Sequence, residues 1–131
     1  MSAPGLLVDP EVIASLQELE RASQHPLVAP LVEAFLGDAP VRIGAIWHAL
    51  ADSDRRALRL QAHALKGSAA ALGVAQVASL STRLETDADA GSATELDATT
   101  HELAAALTRA EPVLRALAAG QNPQRITTSG R

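Results

Sequence analysis

His63 stands among residues that could do chemistry together. Lys66, the only lysine of the chain, follows it at +3 and Gly67 at +4, in the run Ala62-His63-Ala64-Leu65-Lys66-Gly67-Ser68-Ala69. A neutral imidazole is a nitrogen nucleophile, and an ammonium about one helical turn away can hold negative charge as it develops on a reacting group. Arg55, Arg56 and Arg59 lie just upstream, and no acid occurs between Asp54 and Glu85. The chain as a whole is acidic, with 15 Asp and Glu against 11 Lys and Arg and a net charge of −4. Cations gathered into one short segment of such a chain make a local site for an anion.

Helical spacing decides whether these groups share a face. At about 100° per residue, Leu58, Leu65 and Leu72 fall on one side of a helix with Ala62 and Ala69 beside them, which is a core seam. With His63 at zero on the same wheel, Arg56 and Ala70 lie within about 20°, Arg59 and Gly67 within about 40°, and Lys66 about 60° away. All of them sit opposite the seam, so His63 is expected on a solvent-facing basic strip. Gly67 costs a helix interior about 1 kcal/mol relative to Ala, in a chain that uses Ala freely. The return for that cost is a bare patch, one turn from the imidazole, where another surface can come close.

A carboxylate is expected beside the imidazole as well. If the chain reverses near Val74, residues equidistant from that point lie at similar heights on two antiparallel helices, and His63 and Glu85 are each 11 residues away. Glu85 could then accept a hydrogen bond from Nδ1–H, fix the tautomer and leave Nε2 as the nucleophile. Ser68 is expected to be a packing hydroxyl. His25, His48 and His101 show no metal-ligand spacing, and Phe35 and Trp47 are expected to fill the core, with the surface near His63 as the alternative place for Phe35.

The elements that must position these groups are helices. The chain has 131 residues, 47% of them hydrophobic, enough for one core. The apolar set is 28 Ala and 19 Leu against one Phe, one Trp and no Tyr, which favours helices and nearly excludes an all-β domain. Asp9-Pro10-Glu11 starts a first helix, expected to run to about Arg21. A second covers Leu27 to Leu50 and is expected to be kinked at Pro40, with two separate pieces as the alternative. The third starts at Asp52-Ser53-Asp54, carries the strip and stops at Gly73. The fourth holds Val74, Val77, Leu80 and Leu84, and the fifth runs from Leu96 to Leu117 with Pro112 kinking or splitting it.

The expected fold is all-α, an antiparallel up-and-down four-helix bundle with an additional N-terminal helix. Residues 1–8 are expected to be an N-terminal extension, 9–119 the bundle, and 120–131, polar and aperiodic, a disordered tail. With no cysteine, disulfides and thiolate chemistry are excluded. The N-terminus does not read as a secretory signal and no run approaches the length of a membrane span, so a cytoplasmic protein without membrane contact is expected. The acidic balance speaks against nucleic acid.

The segment from Ala62 to Ala69, followed by Leu72-Gly73 and Leu84-Glu85, resembles the signature of histidine-containing phosphotransfer (HPt) domains. The resemblance extends from about residue 8 to residue 118, including the Asp9-Pro10-Glu11 start, Phe35 and the Asp38-Ala39-Pro40 step. It implies a phosphocarrier, not an enzyme with an ATP-binding kinase domain. His63 would accept a phosphoryl group from a receiver-domain aspartate and pass it to another, Lys66 would stabilise the phosphoryl oxygens, Gly67 would give clearance, and Glu85 would bond Nδ1. Arg56, Arg59 and Ala70 would meet the partner, with the docking role of the arginines balanced against an ordinary solvated face. The implied partners are response-regulator receiver domains and a hybrid sensor histidine kinase, the implied protein is a monomer, and Mg²⁺ would belong to the receiver only. The alternatives are an HPt module of a hybrid sensor kinase, a helical adaptor that binds receivers without relaying, and, more weakly, a helical nucleic-acid binder. The initiator Met and the tail favour a freestanding protein over a module.

Overall fold

The computed structural model describes residues 7–120, and they form five helices. These are α1 (Pro10–Ser23), α2 (Val28–Ala51), α3 (Arg55–Leu72), α4 (Ala75–Asp87) and α5 (Ala93–Ala118). Helices α2 to α5 pack as a closed ring in which each touches its neighbours in sequence and α5 returns to α2, while α1 lies across α2 and α3. This is the expected up-and-down four-helix bundle with an additional N-terminal helix. Its core is built from Leu, Ile, Val and Ala with Phe35, and the seam read on the third helix is intact: Leu58, Ala62, Leu65, Ala69 and Leu72 are all buried.

Local chemistry explains the helix ends. Asp9 accepts from the Glu11 amide with Pro10 at the first helical position, and Asp54 accepts from the Ala57 amide. Ser92 and Glu95 form a reciprocal capping box at the start of α5. Asp52 belongs instead to the end of α2, where its backbone amide donates to His48 and Leu50 carbonyls. Val74 precedes α4 as its cap residue and is itself buried.

One alternative is removed and one boundary moves. Helix α2 is one unbroken helix through Pro40, and α5 is one helix through Pro112. A proline removes one helical hydrogen bond and crowds the preceding turn. Both prolines are exposed, so the gap faces the wet side of each helix while the buried face keeps its packing. The N-terminal extension is also shorter than residues 1–8: Val8 is buried in the core, and the Leu7 carbonyl accepts from the Ala75 amide at 3.2 Å. An apolar Leu-Val pair next to a helix cap finds the open end of the bundle and is tied there. Gly120 closes the described region, and the tail assigned to 120–131 lies, from residue 121 on, outside the described residues.

The turn between α3 and α4 sets the register of the site. Gly73 has φ +75°, a left-handed conformation that favours glycine, and a Cβ built there would meet the Val12 Cβ at 2.9 Å. Its carbonyl accepts from the Asp9 amide at 2.7 Å. The two-residue reversal at Gly73-Val74 is therefore clamped by the start of α1, which fixes the relative heights of α3 and α4.

Candidate functional site

His63 sits on the outer face of α3 with its side chain 65% exposed. Its Nδ1 is 2.6 Å from Glu85 Oε2 on α4, so the residue pair expected from distances to Val74 is brought together across the helix pair. A carboxylate accepts, so Nδ1 carries the hydrogen in this contact and Nε2, on the far side of the ring, is left with its lone pair. The second oxygen of the same carboxylate, Oε1, accepts from Lys66 Nζ, also at 2.6 Å. Glu85 is thus shared between the imidazole and the ammonium. The hydrogen bond from Lys66, then that from His63, holds its carboxyl below the usual carboxylate range.

The neighbours of this trio fall into two groups. Gly67 and Ala70 are exposed on the strip beside His63, as expected, and a Cβ on Gly67 would meet nothing within 4 Å beyond its chain neighbours and the backbone of its own helix. The fold does not need glycine there. Arg56 is also exposed and has no side-chain hydrogen bond or ion pair among the described residues. Arg59 is on the same side but pairs with Asp89 at 2.7 Å, in a contact exposed enough that it contributes little to stability.

The strip is accordingly less basic in three dimensions than along the chain. The absence of acids between Asp54 and Glu85 describes α3 alone, whereas α4 and its C-terminal turn bring Glu85 to Lys66 and Asp89 to Arg59. The arithmetic that pairs His63 with Glu85 would also have found the second pair, since Arg59 and Asp89 are each 15 residues from Val74. Arg55 is taken out of the strip altogether. Its guanidinium donates to the Ala88 carbonyl at 3.0 Å and the Gly91 carbonyl at 2.6 Å, bolting the start of α3 to the α4–α5 turn. No spacing signal marks that role, because the acceptors are backbone atoms.

The remaining candidates behave as ordinary structure. Ser68 Oγ donates back to the Leu65 carbonyl at 3.2 Å, a packing hydroxyl. Phe35 is buried and also lines a groove of about 430 Å³ between α2 and α3, shared with Leu31, Asp38, Ser68 and Ala71. Trp47 is half-buried against the core and meets His101 edge to face, with ring centroids 4.7 Å apart. Among the described residues no group of three or more His, Cys, Asp or Glu is placed to hold a metal ion, and no helix is long and apolar enough to cross a membrane.

Comparisons with known proteins bear on the fold and the family. In structure the chain is similar to histidine-containing phosphotransfer protein B from Pseudomonas aeruginosa PAO1, with a TM-score of 0.78 and 26% identity over 92% of this chain and 99% of the other. It has the fold of the HPT domain from a sensor hybrid histidine kinase of Shewanella, with a TM-score of 0.69 and 16% identity over 88% of this chain and 96% of that domain. Among curated proteins none matches the sequence significantly. The Hpt domain family matches residues 30–112, a span that holds α3, α4 and the whole His63, Lys66 and Glu85 arrangement, and the chain belongs to that family.

Proposed function

We propose that the protein is a phosphorelay carrier whose phosphoacceptor is Nε2 of His63. Members of the Hpt domain family are phosphocarriers rather than kinases, working between the receivers and kinases of two-component phosphorelays. The observation that carries the assignment to His63 is the contact of Nδ1 with Glu85 at 2.6 Å on a ring that is 65% exposed. A ring held by one nitrogen and open at the other is a nucleophile already oriented toward a partner.

In this account a receiver domain, bearing a phosphoaspartate and its own Mg²⁺, docks on the outer face of α3. Nε2 attacks phosphorus in line and the acyl phosphate bond breaks toward the aspartate. Lys66 shares the charge of the equatorial oxygens with the partner's metal ion, keeping Glu85 as its second contact. Gly67 and Ala70 let the receiver's loops approach the ring, and Arg56 and Arg59 meet the acidic rim of its pocket. The carrier acts as a monomer, holds no metal of its own and has no nucleic-acid partner, in keeping with its net charge of −4. Its place is the cytoplasm, where receivers and the kinase core of a hybrid sensor work.

Incubation with a phosphorylated receiver tests this. The wild type should acquire an acid-labile, base-stable label and His63→Gln should not. A wild type that binds receivers yet takes no label would make the protein an adaptor instead.

A further inference from the structure

Phosphoryl transfer through a histidine raises the question of where the second ring proton resides while the phosphoryl group is aboard. When Nε2 attacks phosphorus, its lone pair becomes the N–P bond and the acyl phosphate pair leaves with the aspartate. The ring still carries its Nδ1 hydrogen and is now a phosphoimidazolium cation. In water that proton is free to leave, and the phosphoryl group then sits on a neutral ring whose departure would have to produce an imidazolate, a poor leaving group. A group able to keep the Nδ1 proton in place would preserve neutral imidazole as the leaving group for the next transfer.

Glu85 is such a group. Its Oε2 lies 2.6 Å from Nδ1, its side chain is only 23% exposed, and Lys66 on Oε1 favours its charged form at that end. Around the ring the charged groups are Arg56, Arg59 and Lys66 on α3 and Glu85 and Asp89 on the α4 side, with Arg59 and Asp89 paired to each other. On α2, Arg42 is engaged by Asp38 and Gln61. Among the described residues only Glu85 is hydrogen-bonded to the imidazole. A neutral amide in its place could accept the same hydrogen bond but would not stabilise a cationic ring.

We infer that Glu85 keeps the Nδ1 proton on the ring after His63 is phosphorylated, so that the carrier holds its phosphoryl group as a phosphoimidazolium. This rests on His63 being the phosphoacceptor. Loading and unloading then need no proton to enter or leave: in the onward step an aspartate oxygen attacks phosphorus, the N–P pair returns to Nε2, and the imidazole regains its resting tautomer. The consequence is a carrier built for rapid, reversible exchange and a short-lived phosphohistidine. Glu85 acts as a positioning residue through the ring and does not touch the phosphoryl group.

The experiment loads the full chain with phosphoramidate, a small phosphoryl donor that releases ammonia on transfer, so that no receiver is needed. Nitrogen-15 spectra of the phosphorylated ring at neutral pH should show Nδ1 protonated in the wild type and largely unprotonated in Glu85→Gln. The phosphohistidine of the variant should persist about tenfold longer, the change expected when the protonated fraction falls from about nine-tenths to about one-tenth. Backbone amide spectra establish that the variant is folded. Equal lifetimes, or an unprotonated Nδ1 in the phosphorylated wild type, would overturn the inference. Failure of phosphoramidate to label His63 would overturn it together with the proposed function, whereas a labelled protein that exchanges with no receiver would overturn the proposed function alone.

Discussion

Glu85 Oε1 and Lys66 Nζ lie 2.6 Å apart, so the lysine that would steady a phosphoryl group spends the resting state on a carboxylate already committed to His63. Its ammonium has three N–H donors, so it can keep one on Glu85 while turning another to phosphoryl oxygen. Removing the lysine should therefore have two effects. Lys66→Ala is expected to lower the rate of phosphorylation of His63 by about tenfold or more, the scale of losing one donor to a developing anion. It should also move the Glu85 carboxyl back toward its ordinary range, which a carbon-13 titration of that side chain would read.

Gly67 supplies a prediction in which stability and function part company. Because a Cβ there would meet nothing within 4 Å beyond its chain neighbours and its own helix backbone, Gly67→Ala should raise the unfolding free energy by about 0.5–1 kcal/mol. The same methyl intrudes on the face proposed for receiver docking, so phosphotransfer from receivers should fall. Labelling by a small donor should be much less affected. Thermal denaturation alongside both assays distinguishes clearance from a structural role.

Arg55 and Arg56 are adjacent in sequence and divide between two tasks. Arg55→Ala removes the charged donor from the Ala88 and Gly91 carbonyls and should cost about 1–3 kcal/mol of stability. Phosphotransfer by the folded variant, measured well below its melting temperature, should stay near the wild-type rate. Arg56→Ala should leave the melting temperature almost unchanged and weaken receiver binding, more so at low salt than at high salt.

Acid should loosen the molecule at two identified carboxylates. Glu85, through Lys66 and then His63, and Glu95, through the backbone and hydroxyl of Ser92, both ionise more readily than a free carboxyl. A group whose pKa is depressed on folding contributes stability that is complete above its unfolded pKa and is lost as pH falls through the folded value. Stability should therefore be flat in these contributions at neutral pH and decline in the acid range. Denaturant titrations across pH should show a shallower acid decline in Glu95→Gln than in the wild type.

Much of the fold was legible in the sequence because its signals are local and periodic. Asp9 and the Asp52-Ser53-Asp54 run mark helix starts, Gly73 marks a stop, and the spacing of Leu58, Leu65 and Leu72 names the buried side of α3. The contact between His63 and Glu85 was legible for a further reason: a two-residue reversal makes height on α4 a simple function of distance from Val74. What escaped depends on tertiary packing. At Pro40 and Pro112 local hydrogen bonding alone leaves a kink and a break both open, and packing along the buried face carries both helices through. The basic strip looked uncompensated because its acids sit on another element, and Arg55 looked like part of it because a backbone carbonyl acceptor leaves no trace in residue types.

The most direct measurement is the position of the phosphoryl group after the protein has been incubated with a phosphorylated receiver. The chain has four histidines, and spectroscopy of the phosphorylated protein, or mapping of the label under basic conditions, distinguishes them and the two nitrogens of each ring. The phosphoryl group is predicted on Nε2 of His63, with Nδ1 still turned to Glu85. A label on His25, His48 or His101, or on Nδ1 of His63, would contradict the account at its centre.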